Sequence, residues 1–293
     1  MFRRKNDIYR GLAAVVVAAG MLGLLPGRLT AQDVDCLMCH ENPAFWESRQ
    51  DGGRYVVDRA ELETSVHGRL RCVDCHQGLT FPHPEDSPPA NCGRCHGTQR
   101  VQHDQSLHGQ AATRRDPLAP SCESCHGAHD VRRSMDPASP TSVMNIPFLC
   151  GECHQEGTEV SLTRNIPQDR VLENYSMSIH GTGLFRQGLT VTAVCTSCHT
   201  SHLILPHTDE RSSIHADNVA GTCMQCHGRI EEVHLQFIEG RLWEEEPHKI
   251  PPCVDCHQPH RIRKVFYDAG VATQDCLQCH GDPDLVVEQA DMH

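Results

Sequence analysis

The feature that most constrains this chain is a five-residue motif, Cys-X-X-Cys-His, which occurs nine times in 293 residues and contains all 18 cysteines. Disulfides in an exported protein would explain an even number of cysteines, but not a histidine directly after the second cysteine of every copy. Zinc sites take thiolates or imidazoles in fours and have no need of that fixed neighbour. A thioredoxin-like dithiol needs one copy on an α/β scaffold, not nine copies on a loop-rich chain.

Covalent attachment of c-type haem explains both the cysteines and the histidine. Both thiols would bond to the haem vinyl groups, and the adjacent imidazole would bind the iron from the proximal side. The sequence therefore predicts nine c-type haems with their iron. The predicted attachment residues are Cys36, Cys39, Cys72, Cys75, Cys92, Cys95, Cys122, Cys125, Cys150, Cys153, Cys195, Cys198, Cys223, Cys226, Cys253, Cys256, Cys276 and Cys279. The predicted proximal ligands are His40, His76, His96, His126, His154, His199, His227, His257 and His280.

The composition is poor for an ordinary core, because only 38% of the residues are hydrophobic and only 4% are aromatic. Nine porphyrins would supply the missing apolar mass. With 22 glycines and 18 prolines, we expect a mostly irregular, haem-cored chain with short α-helices and little or no β-sheet. Short helices are predicted after several motifs and at Asp169–Met177, Arg229–Leu242 and Asp284–Met292.

Internal repeats indicate which of the remaining histidines bind iron from the second, distal side. One pattern is Ser-aliphatic-His, which occurs four times and continues with glycine in three of them. A second pattern, Cys-His-X-X-His, occurs three times. Together they predict that residues 106–154 and 178–227 are two copies of one two-haem module. The distal ligands predicted from the repeats are His67, His108, His129, His180, His202, His215 and His260.

Nine haems need two more distal ligands. His83 follows His76 by seven residues and is the eighth choice. For the ninth we choose His234, with His248 and His103 as the alternatives. All nine irons would then have two histidine ligands and low potentials, since a methionine ligand is what raises the potential.

The second histidine of a Cys-His-X-X-His cluster is expected to bind a neighbouring haem. His202 lies three residues after His199, on the same side of that porphyrin plane, so it cannot easily bind the same iron. The same argument applies to His129 and His260.

Residues 1–31 read as a cleaved signal peptide, with a basic start at Arg3 and Arg4, an apolar stretch over Gly11–Leu25 and small residues before position 32. The protein is therefore expected to be exported to the periplasm; an uncleaved segment would instead tether it weakly to the membrane. The formal charge of −12 argues against nucleic acid as a partner. The haems are expected in one continuous array, with a five-haem lobe over 32–160 and a four-haem lobe over 161–293.

The nine motifs, the "SLHG" and "SIHG" segments and the "CHGAH", "CHTSH" and "CHQPH" clusters resemble the multihaem c-type cytochromes of respiring bacteria. The pattern is most similar to the nine-haem periplasmic part of menaquinol-oxidising cytochrome complexes. No apolar span follows Cys276 here, so the resemblance implies a separate membrane-bound quinol-oxidising subunit as partner, together with other redox proteins.

The resulting hypothesis is an electron carrier in anaerobic respiration, and enzymatic activity is left open. One alternative is a multihaem reductase or oxidase, acting on nitrite, hydroxylamine or tetrathionate, with one open haem. The haem at Cys36 is the candidate, because no histidine of the repeated type precedes it. Another alternative is a subunit of an extracellular haem filament, with His293 as a ligand shared between subunits.

Overall fold

The computed structural model describes residues 31–50, 52–79, 83, 87–164, 166, 170–228, 254 and 257–262. These residues form short helices joined by irregular segments and contain no strand, which confirms the expected fold class. The α-helices are α1 Ala31–His40, α2 Arg59–Thr64, α3 Cys72–Cys75, α4 Gly97–Gln105, α5 Leu107–Thr113, α6 Cys122–His126, α7 Ile146–His154, α8 Glu159–Thr163, α9 Val171–Met177, α10 Ile179–Gln187, α11 Cys195–His199 and α12 Ala216–Met224. Single 3₁₀ turns lie at Pro43–Phe45, Gly52–Tyr55 and Cys92–Arg94.

The chain divides into two compact units between Ala90 and Asn91. The predicted five-haem and four-haem lobes concern the grouping of the haems, and that grouping stays a prediction. Within the described ranges, no helix is long and apolar enough to cross a membrane. The helices predicted at Arg229–Leu242 and Asp284–Met292 lie outside the described residues.

Four of the Cys-X-X-Cys segments, beginning at Cys72, Cys92, Cys122 and Cys195, form single helical turns. Three of these four are capped by the residue just before their second cysteine. The side chain of Asp74 accepts a hydrogen bond from the backbone N–H of Arg71 at 2.9 Å. Ser124 does the same for Ser121 at 3.0 Å, and Ser197 for Val194 at 3.1 Å. These bonds satisfy backbone donors that the start of a helix leaves without partners.

The second unit has a small apolar core where α7, α9 and α10 meet. Tyr175, Leu184 and Val194 are buried there, and Ile146 and Phe185 pack against them. The Tyr175 hydroxyl donates to the carbonyl oxygen of Ala193 at 3.0 Å. Burial raises the pKa of this phenol, so the hydroxyl stays protonated at neutral pH. The core is small for a unit of this length, as the composition predicted.

The two predicted modules share a turn that the sequence comparison did not identify. The side-chain amide of Asn145 donates to the carbonyl oxygens of Pro137 and Ser139, both at 2.9 Å. Asn218 makes the equivalent bonds to Glu210 at 2.7 Å and Ser212 at 2.9 Å. The equivalence places His215 where the first module has Ser142, since each lies three residues before its asparagine. His215 therefore does not occupy a ligand position shared by the two modules.

An ion pair joins two distant parts of the second unit. The guanidinium of Arg164 binds both carboxylate oxygens of Asp116, 48 residues earlier in the chain, at 2.5 and 2.7 Å. These hydrogen bonds lower the pKa of Asp116 to about 2. A carboxylate with a lowered folded-state pKa adds stability above its unfolded-state pKa, and that stability is lost as the pH falls through the folded-state value.

We expect Asp116→Asn to lower the melting temperature at pH 7, because it removes a long-range pair. The difference from the parent protein should shrink between about pH 4 and pH 2, as Asp116 itself becomes protonated. Thermal unfolding of both proteins across this range tests the prediction. Glu173→Gln is the matched control, since Glu173 pairs with Arg170 only three residues away. If Asp116→Asn lowered the melting temperature less than this control does, the pair of Asp116 with Arg164 would not be the stabilising contact proposed here.

Candidate haem-ligand pairs

The described residues contain five pairs of histidine rings in which one ring belongs to a Cys-X-X-Cys-His motif and the other does not. The ring centroids lie 5.8 to 6.1 Å apart in all five. Each non-motif ring belongs to a predicted distal ligand. The pairs are His40 with His83, His108 with His154, His126 with His202, His180 with His227, and His199 with His260.

This spacing fits an iron atom between the two rings. Two metal–nitrogen bonds of about 2 Å each, added to the half-widths of the two imidazoles, put the centroids about 6 Å apart. Ordinary aromatic contacts range more widely, from about 4.5 to 7 Å. Five pairs within so narrow a range, each with one motif histidine, therefore fit two-histidine ligation of haem better than incidental ring contact.

The described cysteines fit haem attachment better than the competing chemistries. All fourteen of them have free thiols, so none forms a disulfide. Among the described residues, no three histidine, cysteine or acidic side chains gather in a group that could hold a metal ion by themselves. A zinc site of the structural kind needs four such ligands. The donors come as thiol pairs and histidine pairs, which is what c-type haem requires.

Burial favours the neutral form of several of the paired imidazoles. Burial lowers the pKa of His108 to about 4 and that of His260 to about 4, and a neighbouring histidine adds to the effect in each case. Burial also lowers the pKa values of His154, His180 and His199. Iron binds the neutral form of imidazole, so these ligands need lose no proton at neutral pH.

The Ser-aliphatic-His-Gly motif forms a helix break that positions its histidine. Ser106 ends α4, and its buried hydroxyl accepts a hydrogen bond from the N–H of Gly109 at 3.1 Å, which caps α5. The chain bends so sharply that a Cβ atom on Gly109 would lie 2.0 Å from the carbonyl oxygen of His103. Ser178 and Gly181 repeat this arrangement between α9 and α10. His108 and His180 thus lie in the first turn of a capped helix.

Two of the Cys-His-X-X-His clusters supply their second histidine to a different motif. His202 pairs with His126, whereas its neighbour His199 pairs with His260. The backbone N–H of Leu107 donates to the carbonyl oxygen of Ile204 at 2.9 Å. Ile179 and Ile262 make the equivalent bond at 2.8 Å. The first bond links the segment of His108 to that of His202, and the second links the segment of His180 to that of His260. A shift of one histidine in either couple would therefore move the other.

The cysteines of successive motifs also approach one another. The thiol of Cys122 lies within electrostatic reach of that of Cys92, and the thiol of Cys150 within reach of that of Cys195. Cys125 lies within electrostatic reach of Cys150, and so does Cys198 of Cys226. These contacts follow the order of five consecutive motifs, from Cys92 to Cys226.

The remaining predicted ligands are placed as follows. His67 is partly buried, and its backbone N–H donates to the hydroxyl of Ser65 at 3.1 Å. His129 is also partly buried. The Nδ1 atom of His215 accepts a bond from the backbone N–H of Asp217 at 3.3 Å. The motif histidines His76, His96 and His257 are described, whereas Cys253, Cys256, Cys276, Cys279, His280 and His234 lie outside the described residues.

Gly109→Ala should convert one haem, the one at Cys150 and Cys153, to high spin. The added methyl group meets the backbone oxygen of His103 and forces α5, and with it His108, to move. Electron paramagnetic resonance of the oxidised protein measures the high-spin fraction.

The matched control is Gly97→Ala, in the first turn of α4, where an added Cβ meets nothing within 4 Å. Alanine is also the better helix former. We expect Gly97→Ala to stay fully low spin. A low-spin spectrum for Gly109→Ala would show that the motif glycine does not hold His108 in position.

Comparison with known proteins gives a consistent picture. A family model described as cytochrome c7 and related cytochrome c matches residues 27–97. Cytochrome c-type protein NrfB of Escherichia coli O6:H1 is 29% identical over 96 residues, which cover 30% of this chain and 51% of NrfB. Cytochrome c-552 of Maridesulfovibrio salexigens is 21% identical over 260 residues, covering 80% of this chain and 48% of that protein. The chain thus spans about half the length of these relatives, and no solved structure matches it.

Proposed function

We propose that this multihaem c-type cytochrome is a periplasmic electron carrier, which passes electrons along nine closely spaced haems during anaerobic respiration. The observation that carries the proposal is the set of five histidine pairs. Each pair leaves no open side on the iron it would hold. Haem iron with two strong protein ligands transfers electrons, whereas an open position invites a substrate.

The chain's own residues have three tasks in this proposal. The cysteines tether the haems, the paired histidines fix the irons from both sides, and the buried serines and glycines of the repeated motif hold the distal rings in place. The bound haems supply the one-electron chemistry, while the protein supplies spacing, ligand choice and exclusion of water. The neutral state of the buried imidazoles supports this assignment.

The cysteine contacts support a continuous path. Cys92 lies near Cys122, Cys125 near Cys150, Cys150 near Cys195, and Cys198 near Cys226. Haems tethered at these positions would therefore follow one another in space in the order of the sequence. A chain of neighbours in this order suits conduction along these five motifs.

The proposed partners are a membrane-bound quinol-oxidising cytochrome subunit as electron donor and other redox proteins as acceptors. The resemblance to menaquinol-oxidising complexes suggests this donor. The names of the two relatives, both c-type cytochromes, support an electron-carrying role.

The rival hypothesis, a reductase or oxidase with an open haem, placed that haem at Cys36. His83 lies 5.9 Å from His40, the histidine of this motif, with an angle of 14° between the ring planes. This geometry supports a resting two-histidine site there and argues against an open one.

A reductive titration tests the proposal. The fully loaded protein should take up nine electrons per chain at low potential, with visible spectra of six-coordinate haem throughout. Replacing Cys36 and Cys39 with serine should reduce the uptake to eight electrons. An uptake well below nine in the parent protein, or turnover of nitrite, hydroxylamine or tetrathionate at the rate of a respiratory enzyme, would contradict the proposal.

A further inference from the structure

We propose that Thr200 is a positioning residue for the iron between His126 and His202. Its hydroxyl holds the His202 ring in line with that of His126, although Thr200 itself follows His199, the proximal ligand of a different haem. The proposal rests on the proposed function in one respect, the assignment of His126 and His202 to one iron. It deepens that function, because it names a side chain that sets the orientation of a distal ligand without binding iron.

The backbone at Thr200 takes a conformation that is essentially confined to glycine. Its φ is 63° and its ψ is 172°. In the first module Gly127 has the same place, directly after His126, with φ of 78° and ψ of 176°. A β-branched residue in this conformation is strained. Glycine would be free of the strain, but it has no side chain with which to make a hydrogen bond.

The Thr200 hydroxyl closes a four-residue turn that contains His202. It donates to the carbonyl oxygen of Leu203 at 2.8 Å. The next carbonyl oxygen, that of Ile204, accepts the bond from the N–H of Leu107 at 2.9 Å. The backbone of His202 is therefore held on one side by Thr200 and on the other side by α5.

The first module stabilises the equivalent turn with a different side chain. There the carboxylate of Asp130 accepts a hydrogen bond from the backbone N–H of Ala128 at 3.2 Å. A Cβ atom on Gly127 would clash with the same carboxylate oxygen, so a threonine and this aspartate conformation exclude each other. The second module has Leu203 in place of Asp130, and a leucine side chain accepts no hydrogen bond. Thr200 therefore takes over the role of the aspartate.

The orientation of the His202 ring matters to the iron that it would bind. Its centroid lies 6.0 Å from that of His126, with 17° between the two planes. Partners outside the ligand set fix the orientation of a ligand and thereby tune the metal. In a low-spin ferric haem with two imidazole ligands, the angle between the ring planes sets the largest g value. Without the hydroxyl the turn loses its closing bond, and the ring rotates away from this angle.

Electron paramagnetic resonance of the oxidised, fully loaded protein tests the proposal. Thr200→Val removes the hydroxyl and keeps the branched shape, whereas Thr200→Gly removes the hydroxyl and the backbone strain together. Each should shift the largest g value of one low-spin haem per chain and leave the other signals unchanged. Thr200→Ser keeps the hydroxyl and is the matched control, so its spectrum should match that of the parent.

A second background shows which haem responds. His202→Ala should turn the haem of His126 high spin, so Thr200→Val added to it should alter no remaining low-spin signal. If a low-spin signal still shifts in this double variant, Thr200 acts on the haem of His199 and the proposal is wrong.

Two further results would overturn the proposal. One is a parent-like spectrum for Thr200→Val or Thr200→Gly, and the other is a shift in Thr200→Ser equal to theirs. Thr200→Gly decides the matter should Thr200→Val load haem poorly. None of these results touches the proposed electron carrier, which depends on the nine-electron titration.

Discussion

Replacing His202 with alanine is expected to turn the haem at Cys122 and Cys125 high spin, and to leave the haem at Cys195 and Cys198 low spin. The result would be unusual, because His202 lies only three residues from His199 in the sequence. The physical reason is that its ring pairs with His126, at 6.0 Å between centroids and 17° between planes. His199 has its own partner in His260, at 5.8 Å and 10°.

Paired substitutions identify the affected haem, because the number of high-spin irons in each double variant shows whether its two histidines bind the same iron. His126→Ala and His202→Ala each remove one ligand from the same iron in this account, so the double variant should still have one high-spin haem. His199→Ala combined with His202→Ala should have two. His207→Ala is the control, since His207 is exposed and has no assigned role; its spectrum should match that of the parent. Two high-spin haems in the His126 and His202 double variant would disprove the pairing.

The second large effect is expected from the haems themselves, because without them the chain should not fold. Among the described residues only six hydrophobic side chains are buried, namely Leu37, Tyr175, Leu184, Val194, Leu205 and Val219. Large apolar side chains such as Phe148 and Val191 are 53% and 86% exposed. So small a core cannot balance the conformational entropy lost when a chain of this length folds.

Replacing all 18 motif cysteines with serine should therefore give a chain with little helical circular dichroism and no cooperative thermal transition. The control replaces only Cys36 and Cys39. It should keep a cooperative transition, because the core of the second unit and the haems proposed there are untouched. Cooperative unfolding of the haem-free chain with the helix content of the loaded protein would contradict this explanation of the composition.

Much of the architecture could be predicted from local patterns. The absence of strands follows from the glycine and proline content, and the structure confirms it for the described residues. The helix predicted over Asp169–Met177 is observed at Val171–Met177, after Arg170 in the left-handed conformation with φ of 54°. The serine and glycine of the Ser-aliphatic-His-Gly motif were recognised as a repeat, and their hydrogen bonds supply its physical reason.

The partner of each histidine could not be predicted, because pairing depends on contacts between residues far apart in the chain. The spacing of seven residues from His76 predicts His83 as a ligand, yet its ring lies beside that of His40. His215 was grouped with the Ser-aliphatic-His motifs although Ala216 replaces the glycine, and the shared asparagine turn now aligns it with Ser142. The ring of Trp46 packs against that of His40, and the Nδ1–H of His40 donates to the carbonyl oxygen of Tyr55. Neither contact could be predicted from the sequence, since a single tryptophan carries no pattern.

We propose that the chain holds its haems between pairs of histidines and conducts electrons through them. Low-temperature electron paramagnetic resonance of the fully oxidised, haem-loaded protein tests it most directly, with spins counted against the total haem. We expect low-spin ferric signals that sum to nine per chain. A high-spin signal amounting to one or more haems per chain would show that an iron lacks its second histidine, and would contradict the account.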